Sequence, residues 1–346
     1  MSTIAVNAIT DASGGSTASI NGYTPTVSNM AGRNRIINGG FDVWQRGTSI
    51  AASSSNITYT ADRFAARPNS STSTTVTRST DVPSGFNYSA LVTRDSGQTG
   101  TLTRLQTALE TVDMASFRGE VVTLSFYAKA DSGFTPTSAA LPVVLYVGDG
   151  TERLRAITAY DNQETPISTS VTLTTSWQRF TITSTALPSD LSQLSVAFEP
   201  AWVGTAPSND GFYITGVQLE AGSVATPFEH RQYGQELALC QRYYWRVNQF
   251  EVICNGSAYT TSTFYTVLTH PTTMRAAPSV SYSSLSDLGL YSAGLLKTVT
   301  AVTNGNFGSS DKAEILFTSS SLSSGASGWV RCQNNSGAYM DFSAEL

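Results

Sequence analysis

"RNRIINGGFDVWQRG" runs from Arg33 to Gly47, and the fold is read outward from it. Before it stands a polar leader, Met1 to Arg33, rich in Ser, Thr, Gly and Asn. After it come repeated short apolar runs punctuated by Pro, Gly, Ser and Asp. The stretch holds the first large inward candidates, Ile36, Ile37, Phe41 and Trp44, so it reads as the entry strand of a β-sandwich. Gly39 and Gly40 permit a positive φ or a close backbone approach, which lets Phe41 turn inward.

The runs that follow are "VVTLSFYAKA" (Val121 to Ala130), "LPVVLYVG" (Leu141 to Gly148), "SWQRFTITSTAL" (Ser176 to Leu187), "LSVAFEP" (Leu194 to Pro200) and "GFYITGVQLEAG" (Gly211 to Gly222). Their β-branched and aromatic content and period-2 alternation predict antiparallel strands. Phe41, Val43 and the apolar stripe of "FYITGVQL" are expected to line one core. Helical periodicity is scarce: "YGQELALCQRYYW" (Tyr233 to Trp245) carries it, and "RLQTALETVDMASF" (Arg104 to Phe117) reads either as helix or as a strand edge followed by a loop. The pattern predicts an all-β chain: a leader over 1–33, a jelly-roll sandwich over 34–231 and a smaller β-domain over 232–346. The leader cannot bury a core alone, so a partner is expected to order it.

Composition excludes several functions. Of 346 residues only 13% are charged and 40% are hydrophobic, the rest being dominated by Ser, Thr, Asn and Gly, a balance typical of extracellular and virion β-proteins. The net charge of −5 and the absence of a Lys/Arg cluster argue against nucleic acid as a partner. No run is long and apolar enough for membrane insertion, and residues 1–30 lack the pattern of a secretory signal. Cys240, Cys254 and Cys332 are odd in number and without metal-like spacing, and they read as buried reduced thiols.

The series "NRIINGGFDVWQRG", "ADRF", "LQTALETVDMASFRGEVVTLSFYAKA", "SWQRFTITSTA", "YITGVQLEAGSVATPFEHRQYGQELALCQRYYW" and "MRAAPSVSYSS" resembles bacteriophage tail-fibre proteins, above all those of marine and cyanobacterial phages. The leader is similar to fibre leaders, and "NGGF" and "LSFYAKA" also resemble carbohydrate-binding sandwich modules. The resemblance implies a virion protein, trimeric, attached to a tail or other virion protein through residues 1–33 and meeting host-surface polysaccharide with its distal domains. A capsid fibre or decoration protein without a dedicated ligand is the alternative. Related sandwich modules hold a structural Ca²⁺ between an acidic residue after "NGGF" and an Asp near the final strand. Asp42 fits the first position, while Thr215 and Gly216 stand at the second, so the calcium pattern is half present. No other cofactor is implied.

Among aromatic residues, Trp202 in "EPAWVGTAPSNDG" is the candidate for exposed stacking on a sugar, being flanked by loop formers. Tyr146 and Tyr160, on or beside central strands, are candidates for a concave groove, although half-buried sheet tyrosines look the same in sequence. For Trp44 and Trp177 a core role outweighs a sugar-binding one. Catalysis is not expected. Glu199, Asp210, Glu220 and Glu229 show no spacing that pairs them for glycoside hydrolysis, and with His230 and His270 alone there is no nucleophilic or metal motif.

Overall fold

A computed structural model describes residues 32–53, 56–69, 72–305, 308–333 and 336–346. The expected attachment segment lies outside the described residues except for Gly32 and Arg33. The chain divides into two compact units at Arg231/Gln232, with the terminal Leu346 grouped with the first. Among the described residues, no helix is long and apolar enough to cross a membrane.

The first unit carries β1 (Ser49–Ser53), β2 (Thr58–Tyr59), β3 (Ala65–Pro68), β4 (Ser73–Ser79), β5 (Ser89–Arg94), β6 (Thr103–Ala108), β7 (Val122–Ala130), β8 (Ala140–Gly148), β9 (Glu164–Thr172), β10 (Gln178–Thr183), β11 (Gln193–Phe198) and β12 (Gly211–Ala221). They form two six-stranded antiparallel sheets, ordered β1-β4-β5-β12-β7-β10 and β2-β3-β6-β11-β8-β9. This is the jelly-roll sandwich that the alternation predicts. Between the sheets lie Phe126, Phe198, Phe212, Leu105, Leu124, Leu145 and Val196, all buried.

The long strand β12 shows how alternation is reconciled with a core. Phe212 and Ile214 face inward at even positions, yet Val217 and Leu219 do so at odd ones. A bulge between Thr215 and Gln218 flips the phase. Gly216 sits there with φ +63°, and a Cβ on it would come within 2.7 Å of the Phe86 ring and 2.9 Å of Tyr127.

The opening stretch corrects the expectation of an entry strand. Residues 36–40 form turns and the first strand starts at Ser49. Asn38 is the reason: its side-chain amide donates to the carbonyls of Val43 (2.8 Å) and Asp62 (2.9 Å), and its oxygen accepts the Val43 N–H at 3.0 Å. A side chain that bonds its neighbours' backbone offers an alternative to a ladder. The positive φ values fall on Asn38 and Phe41 rather than on the glycines. Gly39 serves close approach, since a Cβ there would stand 2.0 Å from the Val217 carbonyl oxygen. Three of the four expected inward residues are so placed: Ile36, Phe41 and Trp44 are buried, with Phe41 meeting Phe64 at 4.4 Å between ring centroids, whereas Ile37 stays partly exposed in the turn. The run from Arg104 takes its second reading, as β6 followed by a 3-10 turn over Thr111–Phe117.

The second unit opens with α1 (Tyr233–Gln241) and continues through β13 (Tyr244–Asn248), β14 (Val252–Ala258), β15 (Thr263–Thr269), β16 (Ser279–Tyr282), β17 (Leu288–Ser292), β18 (Leu295–Asn304), β19 (Lys312–Ser319), β20 (Ser327–Cys332) and β21 (Tyr339–Ser343). The helix stops short of Trp245 because Tyr244 and Trp245 pair with Ser343 and Phe342 as a strand. Six strands close into a barrel, ordered β14-β15-β19-β18-β17-β20, beside a three-stranded sheet, β13-β21-β16. Phe264, Ile315, Phe317, Leu290 and Val330 are among the side chains of its core. Cys240, Cys254 and Cys332 are buried free thiols. Burial pushes the Cys254 thiol up to about 11 and that of Cys332 to about 12.

Candidate functional site

The outward face of the sandwich's second sheet gathers the polar chemistry. Leu105, Leu145, Leu194, Val196 and Phe198 turn inward, so their alternate neighbours turn out. The outward set includes Arg67 on β3, Arg104 and Gln106 on β6, Ser195 and Ala197 on β11, and Val144 and Tyr146 on β8. Arg67 stands directly across from Arg104, and Gln106 is flanked by Ala65 on one side and Ala197 on the other. The segment between β8 and β9 lies on this face: Leu154 packs on Ala65 and Ala108, and Tyr160 packs with Val144, Tyr146 and Ala197. Gln106 lies between those two contacts, fully buried, with neither amide atom hydrogen-bonded.

Glu199 accepts from Arg104 Nε at 2.5 Å and from the Tyr146 hydroxyl at 3.0 Å. The guanidinium of Arg155 lies 4.7 Å from the Tyr146 ring centre, and that of Arg104 at 5.9 Å. Tyr160 donates to the Arg153 carbonyl at 2.8 Å and shares a 2.5 Å hydrogen bond with Ser195 Oγ. Burial, and then the charge of Glu199, raise the Tyr146 pKa, while burial raises that of Tyr160. Both phenols therefore stay neutral. Burial opposes the charge on Arg104, but Glu199 outweighs it and holds the guanidinium charged.

No protein-family model and no curated protein matches the sequence. Solved structures similar to the chain include a CBM4 structure (20% identity, 54% of this chain and 98% of that one, TM-score 0.31). Another is the C-terminal family 22 carbohydrate binding module of Clostridium thermocellum Xyn10B (16% identity, 57% and 98%, TM-score 0.34). A third is the enzymatically active domain of tailspike protein 4 of bacteriophage CBA120 (13% identity, 55% and 21%, TM-score 0.33). None reaches a TM-score at which likeness would bear on what this chain binds.

Of the aromatic candidates, Tyr146 and Tyr160 come together on this face and Trp202 does not join them. Trp202 is 2% exposed, which corrects the expectation of an open loop ring. Its indole N–H donates to Thr103 Oγ1 at 3.0 Å and its ring meets Phe134 edge-on at 5.7 Å. The loop is folded back by Arg94, which is fixed by Asp210 at 2.7 Å and donates to the carbonyls of Gly100, Val203 and Gly204. Trp44 is core, as expected. Trp177 is only half-buried, its N–H on Asp81 at 2.9 Å and its edge toward Tyr213. The most exposed of the five tryptophans is Trp329, at 43%.

The four carboxylates weighed for hydrolysis are taken up by different donors. Asp210 holds Arg94, Glu220 accepts from Thr226 and Gln218, Glu229 accepts the N–H groups of Gly32 and Asn34, and Glu199 holds Arg104. Asp42 accepts from Asn87 at 3.4 Å, and burial raises its pKa against that bond and the charge of His230. Thr215 and Gly216 are occupied in the β12 bulge, and among the described residues no three His, Cys, Asp or Glu side chains come together.

The face thus offers Arg67, Arg104, Arg153 and Arg155 with the carboxylates of Glu199, which holds Arg104, and of Asp161, 3.5 Å from Arg153, together with two neutral phenols and an unpaired amide. Such a set can bind a hydroxylated, acidic ligand. The signal for Arg104 and Gln106 was present in "RLQTA", where polar side chains alternate with Leu105 on a strand whose neighbours supply alanines.

Proposed function

We propose that the chain is a subunit of a phage virion fibre, a homotrimer fixed to the particle through residues 1–33, whose sandwich binds host-surface glycan without turnover. The binding role is carried by Gln106, a fully buried carboxamide without a hydrogen-bond partner. Leaving such a group unpaired costs about 1–3 kcal/mol, and most buried polar groups avoid that cost. Alanines flank it on both neighbouring strands, and a sugar hydroxyl or a water that reached it would supply the missing partner. Arg155, whose Nε donates to the neutral Gln163 side chain, presents on this face a guanidinium suited to sugars bearing carboxylates. Virion placement and trimerisation rest on the resemblance of the sequence to fibre proteins and on a leader too polar to pack alone.

Calorimetric titration with alginate, a uronate polymer, tests the binding role. Each site is expected to bind in roughly the millimolar to micromolar range, with trimeric avidity on top. The double variant Arg104→Ala/Arg155→Ala should lose that binding while keeping its β-rich spectrum; unchanged binding would remove this face from the function. Release of reducing ends would overturn the claim of no turnover. A chain starting at Asn34 should fold and bind yet fail to enter particles, and its normal incorporation would refute attachment through the leader.

A further inference from the structure

The barrel carries an aromatic side chain whose setting the sandwich reading leaves unexplained. On its outward surface Trp329 (β20) is flanked by Tyr291 (β17) on one side and Asn255 (β14) on the other, each directly across from it. Trp329 and Tyr291 stack at 5.3 Å between centroids with planes 12° apart. One indole face is therefore covered by Tyr291, and the other is turned toward β14 and open, the residue being 43% exposed. Tyr291 is itself braced. Its hydroxyl accepts from Arg331 at 2.8 Å and donates to Gln333 at 3.2 Å, and the Arg331 guanidinium lies 4.9 Å from its ring centre. Gln333 fits there because Gly289 has no side chain: a Cβ would stand 2.2 Å from the Gln333 amide. A chain of contacts from Gly289 through Gln333 and Tyr291 thus fixes one exposed indole in a single orientation.

We propose that the open face of Trp329, together with the side chain of Asn255, is a second and separate glycan contact that stacks a neutral pyranose ring. An indole face matches the C–H face of a pyranose, and a braced ring loses little conformational freedom on binding. Asn255 is exposed on the same surface one strand away, placing an amide that both donates and accepts beside the open face. Along this row Leu296, Tyr291 and Trp329 are followed by the polar Asn255, and the indole face beside that amide has the size of one sugar ring. The proposal extends the glycan-binding reading to a surface with different chemistry, neutral where the sandwich face is cationic.

The test uses the full chain, with the indole N–H resonance of Trp329 followed by NMR during titration with cellohexaose, maltohexaose and mannohexaose. At least one should move that resonance, with millimolar affinity. Trp329→Ala should abolish the binding and Asn255→Ala should weaken it about tenfold, while both variants keep alginate binding. The Arg104→Ala/Arg155→Ala variant should show the reverse: neutral sugar retained, alginate lost. Failure of all three hexasaccharides to move the resonance, or their equal binding by Trp329→Ala, overturns the barrel site and leaves the sandwich reading standing. A Trp329→Ala chain that drops to a smaller oligomer by light scattering overturns it as well, because the surface would then be an interface between copies.

Discussion

On the outward face of the sandwich's second sheet, Tyr146 lies beneath the guanidinium of Arg155 and is 8% exposed, whereas on the barrel Trp329 stands 43% exposed beside a braced Tyr291. Both rings are placed by the same rule, alternation along an antiparallel strand. They differ in what grows over them. The connection from β8 to β9 supplies Arg153, Arg155 and Tyr160 to the sandwich face, and aromatic surface is converted into charged surface. No such cover meets Trp329 among the described residues, and its second face stays open. An aromatic residue on a strand therefore tells little about binding until its loops are placed, and the two faces are expected to discriminate ligands by charge and by shape respectively.

The largest expected effect separates buried from open indoles. Trp202→Ala removes a ring packed against Phe134, Arg94 and Thr103, and should cost about 3–5 kcal/mol of stability. Trp329→Ala removes mainly one stacking partner, about 0.5–1.5 kcal/mol. Thermal unfolding of the two variants decides the matter; comparable losses would mean that the contrast in exposure has no energetic counterpart.

Much of the sandwich was legible and its exceptions have local causes. The apolar alternation of Phe212 and Ile214 reads directly as β12, but the phase flip at Gly216 depends on Phe86 and Tyr127, far away in sequence. "NGGF" reads as a strand until the Asn38 side chain is seen to take the hydrogen bonds. Trp202 lies in a run of loop formers, and its burial is dictated by Arg94 on a strand about a hundred residues earlier, a relation that composition does not encode. The clustering of Tyr146 with Tyr160 is equally non-local, because the connection must fold back over β8. In the barrel, "SGWVRC" is a short run bracketed by Ser and Asn, and its partners, β14 and β17, lie tens of residues away, so neither closure nor the exposure of Trp329 has a local signature.

A middle-sized effect concerns the arginines that differ between the faces. Arg104 is well covered, and Arg104→Ala leaves Glu199 with the Tyr146 hydroxyl in place of its ionic partner, at about 1–3 kcal/mol. Arg331 is half-buried and braces a tyrosine, so Arg331→Ala should cost below about 1 kcal/mol while loosening Trp329. Chemical denaturation should rank them in that order, and the indole resonance of Trp329 should broaden in Arg331→Ala alone. A reversed ranking would show that the brace, rather than the charged face, is the stiffer structure.

The smallest effect is a pH dependence confined to the second unit. His270 is buried, accepts the Trp245 indole N–H on Nδ1 at 3.2 Å and meets Phe342 edge-on. Burial lowers its pKa, outweighing the nearby charge of Asp311 and the backbone carbonyl of Ser309, both of which favour the protonated ring. Protonation would also set two N–H donors against each other at the Trp245 contact. The unfolded chain takes up this proton near the ordinary histidine value of about 6.5, the folded chain only at lower pH. The unfolded state thus binds more protons between those two values, so stability is complete above about pH 6.5 and declines as the pH falls below it. The variant His270→Gln should flatten that decline between about pH 6.5 and 5, where most carboxylates are still ionised. Calorimetry at three pH values across the window would show it as a downward shift of the barrel's transition in the wild-type chain and a smaller one in the variant. An identical shift in both would mean that the buried imidazole is not the group responsible.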